Sequence, residues 1–291
     1  MYPSRFGYES PKTVEEAIAI LDRSGGEAKI LAGGQSLIPM VKLRFAAPEL
    51  LVDINNIEGL RYINVDKDGS VRIGALTRHE DLEFSDVLPT VQPVLAAAAH
   101  LVADPIVRTR GTFVGSVCHA DPQGDWAAAM TAVGGHIVAQ GPKGTRTIEM
   151  KDFVLGPFQN ALAFNEIAIE AVIPAPQGKA VGSYLKLERR VGDFATASVA
   201  VSLDMKGDTV VRAGAALAGV GGRTIDATSA VASLVGKTLT EENIATAAAA
   251  VAAIAEPRSD HRGSSDYKRQ IVKTFVTRIL TGLANSSQKV A

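Results

Sequence analysis

Apolar residues in the first third of the chain fall in short runs punctuated by glycine and proline. In Thr13-Val-Glu-Glu16 a threonine stands three residues ahead of a glutamate, and Ala17, Ile18, Ile20 and Leu21 follow at helical spacing before Gly25-Gly26. An N-cap hydroxyl, an acid in the first turn and glycines past the last turn predict a helix there. Residues 28–32 and 50–54 are short continuous apolar runs, which read as buried strands. Between them, Ala32-Gly-Gly-Gln-Ser-Leu-Ile-Pro39 predicts a tight turn opening a helix toward Arg44, with Pro39 suited to its first turn. The three elements together predict a small βαβ-like unit.

From residue 60 the pattern alternates. Arg61–Val65 and Ser70–Leu76 flank Asp66-Lys-Asp-Gly69, a hairpin signal, and His136–Ala139 and Thr145–Glu149 repeat it across Gly141–Gly144. Glu166–Ile173 predicts a further strand. The intervening helices are predicted from Thr77, capped with Glu80 at its third position and carrying His79 on the surface; over Pro93–Val102; and from Asp125 to Gly134. Cys118 and His119 read as a strand end. Neighbours in a strand point to opposite faces, so the two are badly placed for a nucleophile–base pair. Pro174-Ala-Pro176 through Gly178 is the clearest break in the chain. Beyond it, Gly182–Leu187, Thr196–Met205 and Asp208–Leu217 predict three antiparallel strands, and helices are expected at about 226–235, 240–255 and 264–282.

With 291 residues, 46% of them hydrophobic, the chain can bury a large core in two domains or subdomains. The net charge of −1 argues against a large nucleic-acid or membrane footprint. No apolar run reaches the roughly 18 residues of a membrane span, and the N-terminal Met-Tyr-Pro-Ser-Arg-Phe lacks a signal peptide's apolar centre. A cytoplasmic location is the expectation. Cys118 is the only cysteine, which excludes an internal disulfide and any cysteine-ligated zinc or iron–sulfur centre within this chain. The five histidines show no metal-ligand spacing. If the protein moves electrons, it uses an organic cofactor or a partner chain that carries the metals.

Two stretches carry candidate chemistry. Ala32, Gly33 and Gly34 barely cover their own backbone, and Gln35 and Ser36 add hydrogen-bonding side chains. Such a strand–turn–helix junction either binds a phosphate through its N–H groups or is simply a tight turn. Arg108-Thr-Arg-Gly-Thr-Phe-Val-Gly-Ser116, running on to Asp125, offers a second loop rich in small residues and hydroxyls. Asp125 reads as an acceptor for sugar hydroxyls or as a plain N-cap. Lys186-Leu-Glu-Arg-Arg-Val-Gly-Asp-Phe-Ala195 is dense in charge, and reads as a solvated loop or as the rim of a ligand cleft. The Gly-x-Gly-x-x-Gly turn of dinucleotide-binding Rossmann folds does not occur.

The two loops, in this order and at this separation, resemble the two FAD loops of the molybdenum hydroxylases' medium subunit, the group that includes aerobic carbon monoxide dehydrogenase and xanthine dehydrogenase-like enzymes. The likeness extends over nearly the whole chain. It takes in Leu-Val-Asp-Ile (51–54), Ile-Gly-Ala-Leu-Thr (73–77) and Arg-Val-Gly-Asp-Phe-Ala (190–195).

The resemblance implies an α+β protein. A two-subdomain FAD-binding fold of the vanillyl-alcohol-oxidase kind (residues 1–176, subdomains about 1–56 and 57–176) would precede a C-terminal domain, residues 177–291, of a three-stranded antiparallel sheet and helices. It implies that Ala32, Gly33, Gly34, Gln35 and Ser36, with Thr112, Phe113, Val114, Gly115 and Ser116, wrap the pyrophosphate of a noncovalent FAD. Asp125 would bind the ribityl chain, Lys186 would sit near the isoalloxazine, and Phe194 would be the aromatic beside it. Valine at 114 replaces a family glycine, so strain from a positive φ is expected there. Valine at Gly33 or Gly34 is expected to cost cofactor affinity far more than folding.

The same resemblance implies electron transfer without a general acid or base on this chain. A small subunit with two [2Fe–2S] clusters would deliver electrons from a large molybdenum–pterin subunit, within a dimer of heterotrimers (a heterohexamer). FAD would pass them to a quinone, oxygen or NAD. A stand-alone FAD-dependent reductase of the same fold and a scaffold that has lost its cofactor are the rival readings.

Overall fold

The computed structural model describes residues 2–288. Its first unit consists of β1 (Gly7–Glu9), α1 (Val14–Arg23), β2 (Ala28–Leu31), α2 (Leu37–Lys42) and β3 (Leu50–Asp53). The three strands pair in parallel in the order β1-β3-β2. The central β3 has a neighbour on each edge, and its Leu51 and Val52 are fully buried, which accounts for the unbroken apolar run. Thr13 caps α1, its hydroxyl accepting from the Glu16 N–H at 3.1 Å. Ala17, Ile18, Ile20 and Leu21 turn inward onto this sheet.

The middle of the chain contributes β4 (Ile63–Val65), β5 (Val71–Gly74), α3 (His79–Glu83), α4 (Leu88–Val91), α5 (Pro93–Ala99), α6 (Pro105–Arg108), α7 (Phe113–His119) and α8 (Asp125–Val133). It continues with β6 (His136–Gly141), β7 (Gly144–Glu149), α9 (Met150–Phe153), β8 (Val154–Gly156), β9 (Gln159–Asn160) and β10 (Ile167–Ile173). The main sheet here is antiparallel, in the order β4-β5-β10-β6-β7.

Three local expectations change. The helix after Thr77 is capped by Arg78, whose backbone N–H donates to the Asp81 carboxylate at 2.8 Å. The Thr77 hydroxyl is already committed to the Tyr62 carbonyl, at 2.8 Å. The alanine-rich helix begins at Pro93 as expected but ends at Ala99, short of Val102, and a separate short helix, α4, precedes it. Residues 113–119 form a helix, not the loop and strand end that the small residues suggested.

The last part folds as β11 (Lys179–Leu187), β12 (Ala197–Lys206), β13 (Thr209–Ala218) and β14 (Ile225–Asp226). These are followed by α10 (Thr228–Val231) running into a 3₁₀ turn, α11 (Glu241–Ala253) and α12 (Ser265–Gln288). The three predicted strands are present and antiparallel, and β14 adds a short fourth at the edge. One face of this sheet packs on α11 and α12. The other packs on α5 and on α8, every residue of which is buried. A side-chain carbon at Gly214 would stand 3.1 Å from the Ala132 carbonyl carbon, so glycine is what lets β13 come this close to α8.

Candidate cofactor site

The first loop leaves the end of β2 and turns at Gly34, whose φ of +75° is open to glycine at little steric cost. Among the described residues, the backbone N–H groups of Gly33, Gly34, Gln35 and Ser36 have no acceptor. The same holds for Thr112, Val114 and Gly115 at the opening of α7, because the first turn of a helix leaves its N–H groups without intrahelical partners. The loops touch. A side-chain carbon at Gly33 would lie 2.8 Å from Gly111 Cα and closer still to the Arg110 carbonyl oxygen. At Gly115 it would run into the Thr112 hydroxyl.

Val114 departs from expectation. It is the second residue of α7, its side chain is buried in the core, and it is not among the described non-glycine residues with positive φ, which are Arg44, Ala103, Ala120 and Phe158. The left-handed turn falls at Ala120, beyond the helix, so a β-branched residue costs nothing at 114. Phe113, also buried, packs edge-on against Trp126 at 4.7 Å.

A second cluster forms around Asp125. This residue is the first of α8, with Gly124 as the N-cap, so the plain-cap reading does not hold. The Tyr184 hydroxyl donates to Asp125 Oδ1 at 2.6 Å and Lys186 Nζ donates to Oδ2 at 3.1 Å. The same ammonium donates to the Leu101 carbonyl at 2.8 Å and lies 3.4 Å from Glu188 Oε2. That carboxylate oxygen is buried without a hydrogen-bond partner among the described residues. Burial raises the pKa of Asp125 against the opposing pull of Lys186 and Tyr184; burial, then the Asp125 charge, raises that of Tyr184 well above the usual phenol range.

Phe194, half exposed, ends a charged turn that Arg262 holds through the Phe194 carbonyl (2.7 Å) and the Asp193 carboxylate (3.1 Å). Gly192 in this turn rests against Ala103 and Asp104. The segment 101–116 therefore runs from the Lys186 cluster to the paired loops. Arg108 stiffens it, reaching the Glu83 carboxylate at 2.6 Å and the carbonyls of Val102 and Ala103 at 3.0 Å each.

Sequence reasoning gave no role to Arg108 and Tyr184, whose partners Glu83 and Asp125 lie 25 and 59 residues away, nor to Glu188, read only as part of a charged loop. It also put His79 on the surface. The imidazole is buried, its Nδ1 accepts from Trp126 Nε1–H at 2.9 Å, and burial, aided by the Arg108 and Arg78 charges, pushes its pKa down to about 4. Cys118 and His119 share the last turn of α7 instead of a strand. Burial pushes the Cys118 thiol up to about 12, and His119 packs on Phe158 at 5.0 Å, so the pair remains unfit as a dyad. Among the described residues no group of three or more His, Cys, Asp or Glu is disposed to hold a metal ion.

Seven N–H groups without acceptors in two touching loops suit a diphosphate. Fold and site together define a protein built to hold a diphosphate-bearing cofactor. The family "FAD binding domain in molybdopterin dehydrogenase" matches residues 4–176, and "CO dehydrogenase flavoprotein C-terminal domain" matches residues 182–283. The carbon monoxide dehydrogenase medium chain of Hydrogenophaga pseudoflava is 43% identical over 96% of this chain and 97% of its own. The glyceraldehyde dehydrogenase medium chain of Sulfolobus acidocaldarius is 35% identical over 98% of this chain and 100% of its own.

Among solved structures, carbon monoxide dehydrogenase from Hydrogenophaga pseudoflava superimposes with a TM-score of 0.91, at 44% identity over 97% of this chain and 98% of that one. Quinoline 2-oxidoreductase from Pseudomonas putida 86 gives 0.90, at 32% identity over 99% of each chain. The chain belongs to the FAD-binding medium chains of the molybdenum hydroxylase family and is an oxidoreductase subunit of the carbon monoxide dehydrogenase type. Among its described residues no helix is long and apolar enough to cross a membrane.

Proposed function

We propose that the chain is the electron outlet of a molybdenum hydroxylase, taking electrons from a [2Fe–2S] subunit and delivering them to quinone, oxygen or NAD. The observation that carries this reading is the pair of touching loops with seven N–H groups free of partners in the chain. In this reading Ala32–Ser36 and Thr112–Ser116 hold the FAD pyrophosphate noncovalently. Asp125 and Lys186, oriented by Tyr184, present charge to the ribityl and ring portions, and Phe194 lies at the flavin edge. Bound FAD supplies the step from single-electron donors to the final acceptor; the protein binds it, orients it and sets its surroundings.

Residues 1–176 form the FAD-binding domain, in two subdomains meeting near residue 56, and residues 177–291 the C-terminal domain. The complex is a cytoplasmic dimer of heterotrimers with a molybdenum–pterin large chain, and the reducing substrate binds on that chain. The spread of relatives supports this division: similar medium chains serve enzymes named for carbon monoxide, glyceraldehyde and nicotine.

The test needs no knowledge of the substrate. The purified iron–sulfur chain is reduced chemically, freed of reductant and mixed anaerobically with the oxidised flavoprotein. Bleaching of the flavin band at about 450 nm is expected. A flavoprotein left oxidised by its reduced partner contradicts the proposal, as does flavin that stays on the protein after acid precipitation.

A further inference from the structure

A side-chain network ties the two loops together. Asn55 Nδ2 donates to the Ala32 carbonyl at 2.7 Å and to Asp53 Oδ1 at 2.6 Å. Asp53 is anchored in turn by the Tyr8 hydroxyl at 2.6 Å. Asn55 Oδ1 accepts from Arg78 Nη2 at 2.7 Å, and Arg78 Nη1 donates to the Arg110 carbonyl at 2.7 Å. One guanidinium thus links Asn55, which holds the first loop, to the Arg110 carbonyl just ahead of the second. Its backbone joins as well, since Arg78 forms an isolated β-bridge with Thr112.

We propose that Arg78 and Asn55 are positioning residues for FAD, a clamp that sets the spacing of the two loops and aims their N–H groups at the pyrophosphate. The inference rests on the reading of 32–36 and 112–116 as the cofactor cradle. In a planar trans peptide the C=O and N–H point opposite ways, so a hold on one aims the other. Asn55 holds the Ala32 carbonyl, and the N–H of that same peptide belongs to Gly33. The His79 N–H holds the Gly111 carbonyl at 2.9 Å, and that peptide's N–H belongs to Thr112. Both N–H groups are free of acceptors within the described residues. Arg78 ties the two halves together, so the clamp works as a unit.

Arginine suits the task because its rigid planar fork reaches two acceptors at once, whereas a lysine ammonium is a single point. The guanidinium stays in place although burial, followed by the charges of Arg110 and Arg61, disfavours its charged form.

The test is FAD titration of the flavin-stripped protein, followed by quenching of flavin fluorescence, with the apo melting temperature measured on every variant. Arg78→Lys keeps the charge and the aliphatic stem, so the apo melting temperature should stay near the parent's while Kd rises at least about 10-fold. Asn55→Ala, Arg78→Ala and the double variant should raise Kd to about the same extent, because either change opens the whole clamp. Arg269→Ala, which removes an exposed pair with Asp266 on α12 and touches no member of the clamp, should leave Kd within about two-fold. Parental affinity in Arg78→Lys overturns the clamp, and so do single effects that simply add in the double variant. A parent chain that takes up no FAD overturns the cradle reading itself, which distinguishes the two failures.

Discussion

A buried histidine is costly to protonate, and His79 makes the cost specific. Its Nδ1 accepts a hydrogen bond from Trp126, so a proton there would set two donors against each other in the core. The folded pKa of about 4 lies below the ordinary 6.5. The unfolded chain therefore binds the proton first as pH falls. Stability is full above about 6.5, declines from there to about 4, and loses nothing more to this residue below that. The loss across the window is about 3 kcal/mol. Urea unfolding of the parent and of His79→Gln at a series of pH values checks this: the glutamine variant should show a shallower decline between pH 6.5 and 4. Identical slopes would remove His79 from the acid response.

At the scale of elements, the structure reverses one expectation about the first loop. Gly33 is small because a second backbone passes against it, and not only because a ligand approaches. Alanine there must push the Arg110–Thr112 backbone aside, at a cost of about 1–3 kcal/mol, and should lower apo stability and FAD occupancy together. Gly34 behaves differently. Its positive φ costs a side chain about 1–2 kcal/mol, and the nearest atoms are flexible side-chain carbons of Ile38 and Leu31 at 3.1 Å. Melting curves and flavin content of Gly33→Ala and Gly34→Ala should show the larger combined loss at 33, and the opposite order would contradict this account.

The same contrast shows what could be read from sequence. Strands β2 to β7 and β10 to β13 and the helices α1, α8, α11 and α12 follow from periodicity and caps, which are local, whereas the short strands β1, β8, β9 and β14 left no such pattern. Both donor loops were visible as clusters of small residues. Helix α7 was not, because Gly115 and the preceding Thr112 read as loop, and only packing of Phe113, Val114 and Val117 into the core makes that stretch helical. The Asn55–Arg78–Arg110 connection joins three segments and leaves no local pattern at all.

At the scale of the molecule, the proline-rich break at 174–176 divides the chain but not its core. Tyr184, Ala200, Ala216 and Ala218, from the C-terminal sheet, belong to the same buried cluster as Trp126, Ala129, Met130 and Val133 of α8. Separating the halves would expose the buried faces of α5 and α8 on one side and one face of β11–β13 on the other. Each large apolar side chain bared in this way loses about 1.5–3 kcal/mol of burial. The two domains should therefore unfold together. Trp126 is the only tryptophan and reports on the middle of the chain, while the far-ultraviolet circular dichroism draws heavily on α11 and α12 at the other end. In urea the two signals should change at one midpoint, as a two-state transition requires. Gly214→Val, which wedges β13 away from Ala132, should move both midpoints down equally. A tryptophan transition distinct from the circular dichroism transition, or a Gly214→Val variant that shifts only one of them, would mean that the domains are stable independently and that the shared core contributes little to either.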